Sequence, residues 1–218
     1  MGACIVIMVC CFGSCSPSMK IPGTYFGNKS YATIILNKDS TFSYRYKFEF
    51  SREYSEGEWR ALDRSKIVIN SSIKDRSLSI KGYENYNSSV TDGKSVVIVT
   101  GIPESEKNFY ECSLFINDTF FSNTKCDSII AFKVPNLVTR FFLRIKANDR
   151  IPNRFLDSLQ TKTYVLSDSR NNEVRLEVRY IDSLFNYRVF KNVVCRVTSK
   201  GLHFSSPQTH KAEFLQRK

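Results

Sequence analysis

The sequence predicts an all-β protein built of antiparallel sandwich or barrel-like modules with almost no helix. Three observations carry that expectation. Apolar and polar residues alternate in run after run, the period of a half-buried strand. Clusters of Asn, Asp, Ser, Gly and Lys separate the runs at hairpin spacing. Hydrophobic residues at 42% and aromatics at 13% of 218 positions supply a core and exclude a disordered or collagen-like chain.

The clearest strand covers residues 41–50, where Phe42, Tyr44, Tyr46, Phe48 and Phe50 fall on one extended face. A helix would scatter those five rings around its circumference. Ile34 to Leu36 precede it across Asn37-Lys38-Asp39-Ser40, a hairpin signal. Ile67 to Ile69, Leu78 with Ile80, and Val96 to Val99 read as further strands. Cys112, Leu114 and Ile116 alternate up to the turn signal Asn117-Asp118. Ile130, Phe132 and Val134 follow, then Phe141, Leu143 and Ile145. Residues 174–180 place Val174, Leu176, Val178 and Tyr180 on one face, with Arg175 and Arg179 on the other. Alternation continues through Phe185, Tyr187 and Val189, then Val193, Cys195 and Val197, and turns at Lys200-Gly201 into Leu202 and Phe204. Helical spacing occurs in residues 153–160, through Phe155, Leu156 and Leu159.

Residues 3–12 form an uncharged apolar run. A bilayer-spanning helix needs roughly 20 apolar residues, so this run has the length of a signal-peptide core. The stretch Phe12-Gly13-Ser14-Cys15 resembles the lipobox of bacterial lipoproteins, in which small residues precede a cysteine that becomes acylated. That resemblance makes 1–14 a signal peptide, Cys15 the lipid-attachment residue carrying palmitate or a similar chain, and 15–22 a tether. It implies a cell-envelope protein held to a membrane. In that family a surface-export signal places acidic residues just after the lipidated cysteine; residues 16–20 hold none, so the resemblance implies the periplasm-facing side of the outer membrane.

The remaining chain divides at two polar stretches, 81–95 and 146–154. The expected regions are an antiparallel region 23–90, a sandwich module 91–150, and an antiparallel region 151–218 that is a candidate to pack with 23–90. Gly23-Thr24-Tyr25, Asp39-Ser40-Thr41-Phe42 and Gly57-Glu58-Trp59 resemble small lipocalin-like lipoproteins over about residues 23–70. The strands within 95–147 resemble a transthyretin-like or carboxypeptidase-regulatory-like sandwich. The first resemblance implies consecutive antiparallel strands curled around a core, and the second implies a non-catalytic scaffold or adhesion module.

Chemistry-bearing constellations are few. His203 and His210 sit in no motif, no Gly-x-Ser-x-Gly occurs, and no Cys or His spacing suggests zinc. The expectation is therefore no catalytic residue, no metal and no cofactor. A carbohydrate-active hydrolase is the competing reading, because glycoside hydrolysis needs only two carboxyls at the right separation. Glu53, Glu56 and Glu58 beside Trp59 are its candidates, with Trp59 as a sugar-stacking ring or, alternatively, a core anchor. Export would permit a disulfide, for which Cys112 and Cys126 are the candidates; Cys112 equally fits a small core residue. Cys195 reads as buried.

The chain carries 32 Lys and Arg against 21 Asp and Glu, a formal charge of +11. Residues 1–139 hold 16 basic and 14 acidic residues, and residues 140–218 hold 16 and 7. Arg175, Arg179, Arg188 and Arg196 in the basic part form a candidate patch for an acidic ligand, either an acidic glycan or anionic headgroups. Nucleic acid is not expected of an exported chain whose aromatics alternate inward.

Overall fold

The computed structural model describes residues 20–27, 31–48, 51–148, 156–205 and 212–218. The segment 1–14, Cys15 and most of the tether lie outside the described residues. The described chain is all-β, as its periodicity predicts. β1 (Gly23–Phe26), β2 (Ala32–Leu36), β3 (Thr41–Phe48), β4 (Ser51–Ala61) and β5 (Lys66–Ser71) form an antiparallel meander. β6 (Ser79–Asn85), β7 (Lys94–Val99), β8 (Tyr110–Ile116), β9 (Thr119–Lys125) and β10 (Ile129–Val134) then lead away from it. β11 (Arg140–Ala147), β12 (Ser158–Gln160), β13 (Tyr164–Val165) and β14 (Glu173–Arg179) continue outside the meander. The chain returns with β15 (Val193–Val197), β16 (Gly201–Ser205) and β17 (Ala212–Arg217). β15 pairs with β5 and β17 pairs with β1, closing an eight-stranded barrel in the order β1-β17-β16-β15-β5-β4-β3-β2.

Alternation decides which residues enter the barrel. Ala32, Ile34 and Leu36 of β2, Phe42 and Tyr44 of β3, and Ile67 and Ile69 of β5 fill it, together with Val193, Cys195 and Val197 of β15. Phe190 meets Phe42 and Tyr44 edge-on at 5.8 and 5.2 Å between ring centroids. The interior is thus packed with side chains, as a barrel of eight strands permits. Gly57 is required where β4 crosses β5. A Cβ there would lie 2.1 Å from the Asn70 carbonyl oxygen and 2.8 Å from the Ser71 Cα.

The strands between β5 and β15 form two facing sheets. One has the order β10-β7-β14-β6, with β14 parallel to β7; the other is β12-β11-β8-β9, with β13 also on β11. Val96, Ile98, Val174 and Leu176 of the first share a core with Cys112, Leu114, Phe141 and Leu143 of the second. β6 and β14 fall within the sequence-based regions 23–90 and 151–218, and both belong to the four-stranded sheet.

Two local expectations need correction. Of residues 153–160, which have helical spacing, Ser158–Gln160 form a strand on β11, registering Leu159 with Ile145. A half-paired edge of β11 offers backbone partners that a short isolated helix lacks. Residues 185–189 alternate as a strand would, yet Asp182–Asn186 form a 3-10 turn and only Tyr187 makes a β-bridge, to Tyr54. Phe185 and Tyr187 are both buried all the same, in the sandwich core.

Cys112 and Cys126 form a disulfide with a Cα–Cα distance of 5.1 Å. They are not direct cross-strand partners: Cys112 registers with Thr124, and β9 carries an irregularity opposite Leu114 and Phe115. Closing a loop of this length contributes about 3 kcal/mol through the unfolded chain. Replacing both cysteines by alanine therefore lowers the unfolding free energy by about that amount. Urea titration of the variant, and of the wild type with and without reductant, measures it; equal midpoints in all three would show that the bridge contributes nothing.

Candidate functional site

With the barrel interior filled, recesses on the outer surface are where a ligand can enter. The first is a groove of about 470 Å³ on the seam between barrel and sandwich. Its walls come from the connection after β5, residues 74–77, and from Leu156 together with Ser158, Leu159 and Gln160 of β12. Leu156, Leu159 and Val189 supply an apolar floor, and Lys74, Asp75 and Arg76 a charged rim.

The rim is held by local hydrogen bonds. Asp75 accepts from both the backbone N–H and the hydroxyl of Ser77, an Asx turn that fixes the loop. Those two bonds, aided by nearby Lys162 and Arg76, hold the Asp75 carboxyl below its ordinary range. Arg76 donates to the Tyr187 carbonyl oxygen at 3.4 Å, and partial burial pulls its pKa down against the opposing charge of Asp75. Chemically, the groove offers apolar contact beside two cations. Asp75, already bonded to Ser77, is the one carboxylate among its described lining residues.

A second recess, about 520 Å³, is lined by Tyr86, Asp168, Arg170 and Asn171. It exists because Glu84 and Lys94 clamp the loop 166–172 from two sides. Glu84 accepts hydrogen bonds from Tyr164, Asn171 and both the backbone and hydroxyl of Ser167. Burial raises the pKa of this carboxyl, but the combined hydrogen bonds outweigh burial and hold it at about 2. Lys94 is buried on the core side of β7 and donates to the carbonyl oxygens of Ser169 and Asn171 at 2.5 and 2.6 Å. Gly82 makes room for the clamp, since a Cβ there would lie 2.1 Å from the Tyr164 ring. Asp168 and Arg170 pair on the rim, which lowers the Asp168 pKa to about 2.

The residues singled out by sequence are dispersed. Arg175 and Arg179 share the solvent face of β14, where Glu177 between them accepts from Arg175 Nε at 3.1 Å. Arg196 is exposed on β15, a barrel strand. Arg188 is no part of any surface patch, a correction with a clear cause. Its guanidinium is buried, donating to the Tyr44 hydroxyl at 2.7 Å and the Glu53 carboxylate at 3.2 Å. Glu53, Glu56 and Glu58 do not converge either, because period two splits them: Glu53 turns into the barrel while Glu56 and Glu58 face solvent. Trp59 packs its ring on the barrel core and donates Nε1–H to the Asn37 carbonyl oxygen at 3.0 Å. Cys195 lies in the barrel core, where burial pushes its thiol up to about 12. Lys94 was findable from sequence, since it shares parity with Val96 and Ile98; Glu84 and Arg76 carry no comparable signal.

No family model, curated protein or solved structure matches the chain.

The Glu84 clamp has a pH signature. A carboxyl held below its unfolded pKa of about 4.3 stabilises the fold above that value and loses its contribution as pH falls toward 2. Glu84→Gln is therefore less stable than wild type at pH 7, and the difference shrinks between about pH 5 and pH 2. Urea unfolding of both proteins across that window measures it. A difference independent of pH would show that the charge on Glu84 is not what holds the loop.

Proposed function

We propose that the chain is a non-enzymatic lipoprotein of a bacterial cell envelope, lipidated on Cys15 and acting as a binding or assembly module. The single observation that carries the binding part is the seam groove, in which an apolar floor meets Lys74 and Arg76. A ligand bearing acidic groups on a partly apolar body fits it, and an acidic glycan chain is such a ligand. The closed barrel opening on Gly23-Thr24-Tyr25 supports a lipocalin-like kinship, and the facing sheets that contain 95–147 support a transthyretin-like one. The apolar run 3–12 followed by Gly13-Ser14-Cys15 supports export and acylation. Among the described residues no helix is long and apolar enough to cross a membrane. Two or three acyl chains on one cysteine supply stable attachment where a single chain is marginal, at about 0.8 kcal/mol per buried methylene. The periplasmic face of the outer membrane is the proposed location.

The two halves of the reading have separate tests. Expressed in a Gram-negative host, the wild type enters the membrane fraction and incorporates labelled fatty acid, and Cys15→Ala does neither. A soluble wild type with another N-terminus, or equal labelling of the alanine variant, would sink the anchor. For binding, an immobilised acidic polysaccharide retains the protein at low salt and releases it as ionic strength passes about 0.1 M, where screening reaches roughly 10 Å. Lys74→Glu with Arg76→Gln weakens retention by about tenfold, equivalent to roughly 1.4 kcal/mol. Arg175→Glu with Arg179→Glu has a smaller effect because Glu177 already offsets Arg175. If the second pair abolishes retention while the first leaves it intact, the groove is not the site.

A further inference from the structure

The outer face of the sheet β12-β11-β8-β9 carries three phenylalanines where a solvated sheet carries polar residues. Phe115 of β8 registers with both Phe142 of β11 and Phe120 of β9. Phe115 and Phe142 stack with centroids 4.5 Å apart, and Phe120 meets Phe115 edge-on at 5.8 Å. Phe120 is 56% exposed. At the same end of the sheet, Leu137 in the β10–β11 connection is 86% exposed and Val165 on β13 is 62% exposed. Asn117, at the turn of the β8–β9 hairpin, fixes these tips together. Its amide donates to the Leu137 carbonyl oxygen, and its side-chain oxygen accepts from the Thr139 and Arg140 backbone N–H groups. Val165 registers with Arg140. The apolar tips are therefore presented by a hydrogen-bonded frame.

Cations lie on the same face behind the tips. The Arg144 guanidinium sits 4.7 Å from the Phe115 ring centroid, and Lys146 and Lys125 follow one step further along the sheet. Arg140 pairs with Asp118 at the turn, and Glu111 stands between Lys125 and Lys146. Two acidic groups thus face four cations. Apolar groups at a tip, with guanidinium and ammonium groups set back from them, match the depth profile of a membrane interface: acyl boundary first, anionic headgroups next.

We propose that this face docks onto an anionic lipid surface, with Phe120, Leu137 and Val165 entering the acyl boundary and Arg144 and Lys146 meeting the headgroups. The docking is independent of acylation at Cys15 and orients the protein on the surface to which a lipid would tether it.

The test uses the full chain carrying Cys15→Ala, so that no acyl anchor contributes, and compares it with variants in that background. Sedimentation with vesicles of phosphatidylglycerol and phosphatidylethanolamine measures binding. Phe120→Ser with Leu137→Ser lowers the vesicle partition by about tenfold or more. Arg144→Glu with Lys146→Glu lowers it on these vesicles, and its effect disappears on vesicles of phosphatidylcholine alone. As a second readout that leaves the face apolar, Phe120→Trp and Leu137→Trp each give a blue-shifted fluorescence component on adding vesicles. Unchanged partition in the serine variant, or no shift from either introduced Trp, would overturn the proposal. So would concentration-dependent dimerisation lost in the serine variant without any change in vesicle binding, since the occupant would then be a second copy.

Discussion

Everything in this fold depends on how residues 187–190 join the inserted sandwich to the barrel. Tyr187 lies in the sandwich core and meets Tyr54 edge-on with centroids 5.1 Å apart. Its hydroxyl donates to the Glu56 carbonyl oxygen at 2.9 Å and accepts from the Ile73 N–H at 3.3 Å. One residue later the Arg188 backbone N–H donates to the Tyr54 carbonyl oxygen, and its guanidinium enters the barrel between Tyr44 and Glu53. Phe190 then fills the barrel, its N–H donating to Ser71 Oγ and its carbonyl accepting from the Ser71 N–H. Four consecutive residues thus touch both cores. Burying the Arg188 charge is costly, and Glu53 and the Tyr44 ring offset that cost only in this geometry. The polar cluster consequently specifies where the returning chain enters.

The need for that specification follows from topology. β5 and β15 are adjacent in the barrel although the whole sandwich separates them in sequence, and β1 pairs with β17 across nearly the full chain. Pairings of such separation form late, because loop closure must precede the contacts that reward it. The β1–β5 meander forms from local hairpins, yet it leaves β1 and β5 with unpaired edges until β15–β17 arrive. Unpaired edges invite association with other chains. A segment whose side chains anchor in both cores fixes the point from which the returning strands pair and cover those edges. The disulfide acts on the other side of the same problem, stabilising the sandwich internally through Cys112 and Cys126.

Much of this fold was legible in the chain because strand alternation is a local property. Phe42 and Tyr44, Val96 and Ile98, and Phe141 and Leu143 all face the cores their parity indicates. The failures share one cause: tertiary context decided what local spacing left open. Leu156 and Leu159 satisfy helical spacing, but the edge of β11 converts Ser158–Gln160 into a strand. Phe185 and Tyr187 alternate, but the chain must turn from one core to the other there, and a 3-10 turn does so. The candidate site was less legible still. Asp75 and Arg76 gain their meaning from Leu159 and Val189, which sequence places far away. Arg188 resembles any surface arginine until the barrel closes around it.

The positive charge shows why composition is a poor guide to a binding surface. The excess concentrates in residues 140–218, yet the structure distributes those cations among unlike tasks. Arg188 is enclosed with a carboxylate, Arg170 clasps Asp168, Arg175 leans on Glu177, and Arg140 pairs with Asp118. Each of these pairs spends a positive charge on local structure. The last three pairs are exposed. Exposed pairs contribute little to stability, at most about 1 kcal/mol, so their chief effect is to subtract from the field a partner would meet. Among the cations proposed to meet a partner, Lys74, Arg76 and Arg144 lie beside apolar surface, the first two at the groove floor and the third against the Phe115 ring. Low-dielectric neighbours strengthen a charge's interaction with an incoming anion, whereas open solvent weakens it. The proposed recognition therefore rests on cations set beside apolar surface and not on the total charge of the chain.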